Sequence, residues 1–234
     1  MNDIANFLYA IGTWLVPLTI AIVFHEVAHG LMARACGDQT AESMGRLSFN
    51  PLRHVDPFGT VILPMILALS HAPIFGWAKP VPVVAARMRN PRWNMVAVAL
   101  AGPGMNLLLT IVTTLAMAGL IIIVPDPQGG LAGLLMENFR NLIVINVMLA
   151  IFNLLPIPPF DGSHVVQGVL PRPLAAIYGR FQRFGLLIPI LLLIVLPMVA
   201  PNLHLLDRMI GPPVDWVLGL VDAALNQMVG GVTV

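Results

Sequence analysis

Apolar runs of membrane-spanning length, separated by short charged loops, set the pattern of this chain. A helix needs about 20 mostly apolar residues to cross a bilayer. Ile4 to Phe24 is the first such run, and it continues helically through His25-Glu26-Val27-Ala28-His29-Gly30 towards Arg34. Trp93 to Pro125 is the longest, and Asn141 to Phe160 and Phe184 to Leu206 follow. Pro213 to Val234 is weaker, because Asp215 and Asp222 interrupt it on one helical face, so that segment either spans or lies at the interface. The pattern predicts an all-α polytopic membrane protein, a single domain over residues 1–234, with about five transmembrane helices plus a re-entrant or β-hairpin segment.

The uncharged stretch from Pro57 to Ala78 is different. It holds Pro57, Gly59, Pro64, Pro73 and Gly76, too many breakers for a plain helix. Arg34, Arg46 and Arg53 precede it, and Lys79, Arg87, Arg89 and Arg92 follow it. Cytoplasmic loops collect Lys and Arg, so both flanks are expected on one side and the stretch is expected to dip in and return. Non-helical backbone at that depth is tolerated only against protein or a water-filled cavity. The same rule puts the N-terminus outside, the first helix running inward, Trp93–Val124 outward, the next inward, and Phe184 onward out again. The tail helix, if it spans, then comes back. Arg140, at the outer end of its helix, is the exception and can snorkel. Segments 38–56 and 77–90 read as short strands. Lys79-Pro80-Val81-Pro82-Val83-Val84 reads as an edge strand, since its prolines bar a central place.

Composition narrows the class. Of 234 residues, 58% are apolar and only 10% charged, against about 25% charged in a soluble domain. Disorder is excluded by the same figures. A net charge of +1, from 12 basic and 11 acidic residues, leaves no basic field for nucleic acid. Cys36 stands alone, so there is no intramolecular disulfide and no cysteine-cluster metal site. The start, Met1-Asn2-Asp3, has no basic n-region, and the first run is read as part of the mature protein.

His25-Glu26-Val27-Ala28-His29 matches H-E-x-x-H. Positions i and i+4 share a helix face, so both imidazoles can reach one metal ion, with Glu26 beside the open coordination position as a general base. Ionisable groups inside a membrane helix cost roughly 2.5–3.5 kcal/mol each on insertion scales, and a divalent cation compensates them. The other reading is a polar interhelical network. At 1.5 Å per residue, His25 lies roughly 13 Å below the interface marked by Arg34. A catalytic zinc usually has three protein ligands. The metzincin continuation needs a histidine where Ala35 stands, Glu42 falls in the loop after the helix, and Glu137 falls at an outer helix end. Asp161 is the better third ligand. It ends an apolar helix whose cytoplasmic end matches that of the first, and Pro156, Pro158 and Pro159 break that helix so that Asp161 can fold inward. Its plain alternative is a loop aspartate before a turn glycine.

His25-Glu26-Val27-Ala28-His29 together with Asn153-xx-Pro156-xxxx-Asp161-Gly162 resembles the site-2 protease family of intramembrane zinc metalloproteases (peptidase family M50), in its compact prokaryotic branch without PDZ or CBS domains. Ala101-Gly102-Pro103-Gly104-Met105-Asn106 is similar to the family's G-P-x-x-N helix start, and Phe75–Val83 and Asn50–Pro57 resemble the same branch. The resemblance implies one catalytic Zn2+ held by His25, His29 and Asp161, with Glu26 as the base. It implies a transmembrane protein substrate, the lipid bilayer as surroundings and no nucleic-acid partner. The expected place is the cell (inner) membrane, with the site nearer the cytoplasmic side.

Asn153 is a candidate for stabilising the tetrahedral oxyanion, or else for bonding between helices. Lys79, Pro80, Val81, Pro82 and Val83 form a candidate edge for an unwound substrate segment, or else an ordinary loop. His54 reads as a surface histidine before a gating one, and His164 as a loop residue before a ligand-orienting one. His71 and His204 read as interfacial, and Asn106 as a helix-packing residue. Thirteen methionines read as lipid-facing or core filler. The competing class is a polytopic metal-binding transporter or channel, which broken helices also suit. Against it, the chain shows no internal repeat.

Overall fold

The computed structural model describes residues 2–63, 65–66, 77–124, 129–185, 187–191, 195–199 and 205–230. Its frame is three long helices: α1 (Asn2–Ala35), α2 (Pro91–Ile123) and α3 (Gly130–Asn153). Within them Ile11–Ala35, Pro91–Ile123 and Gly130–Asn153 are long and apolar enough to cross a membrane. α2 opens with Pro91, whose fixed φ suits a first helical position and whose missing N–H costs nothing there. Two shorter helices follow, α4 (Asp161–Val169) and α5 (Arg172–Phe181), then α6 (Leu205–Val229).

α2 is the centre of the bundle, packed against α1, α3 and α4, while α1 also packs on α3. Apolar clusters hold the two ends. At the end remote from His25, Met117, Ala118 and Ile121 of α2 meet Met136 and Ile143 of α3 and Val229 of α6. At the other end Ile210 and Val214 of α6 meet Val147, Leu155 and Phe160. These contacts fix the direction of α6. It runs from the His25 end to the remote end, parallel to α2, opposite to the direction expected for the tail.

Of the single span expected over Phe184–Leu206, residues 186, 192–194 and 200–204 lie outside the described residues. The rest holds short helical pieces at Leu187–Ile190 and Leu196–Val199. His71 and His204 lie outside the described residues.

No strand occurs among the described residues, so the strands expected at 38–56 and 77–90 are not there. Thr40–Ser43 and Pro51–Arg53 form short helical turns instead. Residues 79–84 are extended, but their partners are side chains and a loop rather than a second strand. Lys79 N–H donates to the His54 carbonyl at 2.8 Å. Val81 N–H donates to Glu26 and Val84 N–H to Asp38. Arg46, itself buried, donates to the carbonyls of Arg53, Lys79 and Pro80. With prolines at 80 and 82 two ladder donors are missing, and side-chain groups take over the anchoring.

The segment expected to dip begins as a wide helical turn over Pro57–Ile62, capped by the Asp56 carboxylate, which accepts from the N–H groups of Phe58 and Gly59. Trp77 N–H then donates to the Gly59 carbonyl at 3.1 Å, and the Thr60 hydroxyl to the Trp77 carbonyl at 2.8 Å. The two ends of the segment therefore lie side by side. A single crossing of about 30 Å would hold them apart. Residues 67–76 between them lie outside the described residues.

Candidate metal centre

His25 and His29 stand one turn apart on α1, both buried, on the face that packs against α2. Their rings meet edge to face, with centroids 4.6 Å apart and planes at 85°. Each ring is held through Nδ1. His29 Nδ1 lies 2.8 Å from the Val98 carbonyl, and His25 Nδ1 lies 2.6 Å from Asn106 Oδ1. A carbonyl oxygen only accepts, so both Nδ1 atoms carry the hydrogen and both Nε2 atoms present a lone pair. Those two Nε2 atoms are 3.0 Å apart.

The third group arrives from the break between α3 and α4. Pro156, Pro158 and Pro159 stop α3 from continuing, and the Phe152 and Phe160 rings pack against each other across the turn. Asp161 then opens α4. The turn is tight at Gly162, where a Cβ atom would lie 2.2 Å from the Leu154 carbonyl oxygen, so backbone crowding requires glycine after Asp161. Asp161 Oδ2 comes to 3.3 Å from His25 Nε2 and 3.2 Å from His29 Nε2. Among the described residues this buried oxygen has no hydrogen-bond donor.

Three acceptor atoms thus face one another at 3.0–3.3 Å with their usual protons committed elsewhere. Lone pairs that converge in a buried site repel unless a cation sits among them. Ligands at about 2.0–2.1 Å around a tetrahedral zinc are about 3.3 Å from each other, and two imidazoles with a carboxylate are a usual set. The residues fit a zinc ion. Gly102 makes room for them, since a Cβ there would lie 2.4 Å from His29 Nε2 and 2.5 Å from His25 Cε1.

Glu26 is half-buried, and its Oε2 accepts from Val81 N–H at 2.8 Å. The Lys79–Val83 strip therefore crosses the site at its carboxylate. Asp38, fully buried at the end of α1, anchors the far end of the strip through Val84 N–H at 2.6 Å and is itself held by the hydroxyl and N–H of Thr40. Burial pushes the Asp38 carboxyl up, but these donors outweigh it and hold it below the ordinary carboxylate value.

The remaining expectations fall out unevenly. Asn153 ends α3 with its amide donating to the Leu149 carbonyl one turn back. Glu42 sits on the short helix after α1, paired with Arg34 at 2.9 Å. Glu137 accepts from Tyr9 at the remote end. His54 is buried, not on the surface, with Nε2 2.7 Å from the Ser48 carbonyl. His164 is on the first turn of α4 rather than in a loop, and burial holds its imidazole below the usual histidine value. Asn106 does more than pack helices, because it grips His25. Asn146, fully buried behind it, was not singled out by the sequence at all. The one signal available was the expense of an amide inside an apolar helix.

The sequence pattern of peptidase family M50 matches residues 13–123 and 113–196. "Putative zinc metalloprotease YwhC" of Bacillus subtilis is 33% identical over 220 residues, covering 92% of this chain and 93% of that protein. "Putative zinc metalloprotease Rip2" of Mycolicibacterium smegmatis is 30% identical over 199 residues, covering 83% of this chain and 70% of that protein. No solved structure matches the chain. The transporter alternative finds no support in these likenesses. With a matched region that takes in most of α1, all of α2 and α3 and all of the His-His-Asp group, the chain belongs to peptidase family M50.

Proposed function

We propose that the chain is an intramembrane zinc endopeptidase of the cell (inner) membrane that hydrolyses peptide bonds within or near transmembrane segments of membrane proteins, its site nearer the cytoplasmic side. His25, His29 and Asp161 hold the ion. The observation that carries this reading is the meeting of two imidazole lone pairs and an unpartnered carboxylate oxygen at 3.0–3.3 Å. A zinc ion held there supplies a Lewis acid that polarises the scissile carbonyl and makes water acidic near neutral pH.

The protein's own groups do the rest. Glu26 takes the proton of the attacking water and passes it to the leaving amine, as a base one residue from a ligand histidine is placed to do. Its bond from Val81 N–H aims the carboxylate. Asn153 has a second amide hydrogen beyond the one given to Leu149, and offers it to the developing oxyanion. A substrate helix has its backbone groups paired internally, so it must unwind before cleavage. Lys79, Pro80, Val81, Pro82 and Val83 form the edge that receives the unwound segment, held in place by Arg46 and Asp38. Cleavage of a single-span membrane protein by the purified chain in liposomes tests the reading. Wild type cleaves it and Glu26→Gln does not while keeping its zinc; equal cleavage by both contradicts it.

A further inference from the structure

Behind His25 lies a chain of two buried amides whose direction is fixed from the far side. Asn146 Nδ2 donates to the Leu142 carbonyl at 2.7 Å. That carbonyl accepts only, so the NH2 end of Asn146 must face it and Oδ1 must face Asn106. Asn106 Nδ2 donates to that Oδ1 at 2.7 Å and to the Ala21 carbonyl at 3.2 Å. Asn106 is thereby oriented as well, with Oδ1 towards His25 Nδ1 at 2.6 Å. Ala21, Asn106 and Asn146 are each 0% exposed. The polarity runs in one direction from α3 through α2 to α1.

We propose that Asn146 is a positioning residue for the metal centre: by fixing which end of the Asn106 amide faces His25, it sets the imidazole tautomer that leaves Nε2 free for the ion. This rests on the metal-site reading above. An amide at Asn106 can be placed with nitrogen or oxygen towards His25, and the wrong placement would offer a donor to Nδ1 and move the ring hydrogen to Nε2, where it blocks ligation. Removing Asn146 leaves that choice to the single, longer bond to the Ala21 carbonyl. Ligand-orienting partners of this sort are worth about 10–100-fold in metal affinity.

The test is cobalt or zinc affinity of the full chain in detergent, measured by competition with a chelator, with thermal stability recorded on the same samples. Asn146→Leu is expected to weaken binding about tenfold. Asn146→Thr is expected to stay within about threefold of wild type, because a threonine there can donate to the carbonyl four residues back, as Thr110 and Thr114 already do, while accepting from Asn106. The decisive comparison uses Asn106→Asp, whose two oxygens have no wrong end. In that background Asn146→Leu is expected to cost no affinity, as a double-mutant cycle reads out. An equal loss in both backgrounds, or a full-affinity Asn146→Leu, overturns the proposal. If Asn146→Leu does not fold, failure of Asn146→Thr to bind normally while folded does so instead. Wild type that binds no ion, or His25→Ala that binds as wild type does, overturns the metal site itself and this proposal with it.

Discussion

The two ends of the helical bundle are built on different principles. At the remote end Met117, Ala118 and Ile121 of α2 pack against Met136 and Ile143 of α3 and Val229 of α6, contacts without direction. At the site end an apolar cluster around Val147 and Phe160 is joined by directional contacts between α1, α2 and α3, from His25 to Asn106, Asn106 to Asn146 and His29 to the Val98 carbonyl. Three acceptors also converge there, at His25, His29 and Asp161. Within a membrane, apolar packing is a matter of dispersion and fit, since lipid is as apolar as leucine. It tolerates exchange of one aliphatic for another. A polar network in the same surroundings is unforgiving, because a reversed amide leaves two groups unpaired. The remote end therefore holds the helices together, and the site end holds atoms in place.

The sharpest way to separate the two is to change chemistry without changing shape. Glu26→Gln is isosteric and is expected to lower kcat by roughly 10²–10⁴-fold, the usual contribution of a general base, with metal content unchanged. Next comes crowding. Gly102→Ala would set a methyl 2.4 Å from His29 Nε2, and is expected to weaken metal binding about 10–100-fold, read by chelator competition. The third probes the strip over the site. Asp38→Ala removes acceptors for Val84 and Thr40, and is expected to cost about 1–3 kcal/mol of stability in thermal or denaturant unfolding. Its pH dependence has a definite sign. The folded carboxyl titrates below its unfolded value of about 3.9, so the contribution is complete above that value and is lost as pH falls through the folded one. The smallest effect on chemistry belongs to the remote end. Ile121→Ala lies roughly 22 Å along α2 from Asn106. It is expected to lower the melting temperature by a few degrees while leaving metal affinity within about twofold. A large change in affinity there would erase the contrast between the ends.

The residues that announce themselves in the sequence are those whose spacing carries the geometry. His25 and His29 are four apart on a helix that had to exist, and Asp161 follows a proline break that had to turn. Asn106 and Asn146 lacked any such spacing. An asparagine in an apolar helix looks the same whether it faces lipid, a neighbour or a ligand, and only the packing of α1, α2 and α3 puts these two in line with His25. The Val98 carbonyl that orients His29 is a backbone group and leaves no mark in the sequence. The 77–90 stretch read as a strand because β-branched residues alternate with prolines. Its partners, Glu26, Asp38 and Arg46, are side chains on distant elements, which a local pattern does not reveal. The expected tail direction counts Phe184–Leu206 as one outward crossing, whereas the contacts of Ile210, Val214 and Val229 start α6 at the site end, and such long-range packing leaves no local mark in the sequence.

Zinc content of the purified chain, determined by elemental analysis for wild type, Glu26→Gln and Asp161→Ala, tests the central claim most directly. Wild type and Glu26→Gln are expected to carry one equivalent each and Asp161→Ala almost none. A full equivalent retained by Asp161→Ala with undiminished affinity would contradict the account.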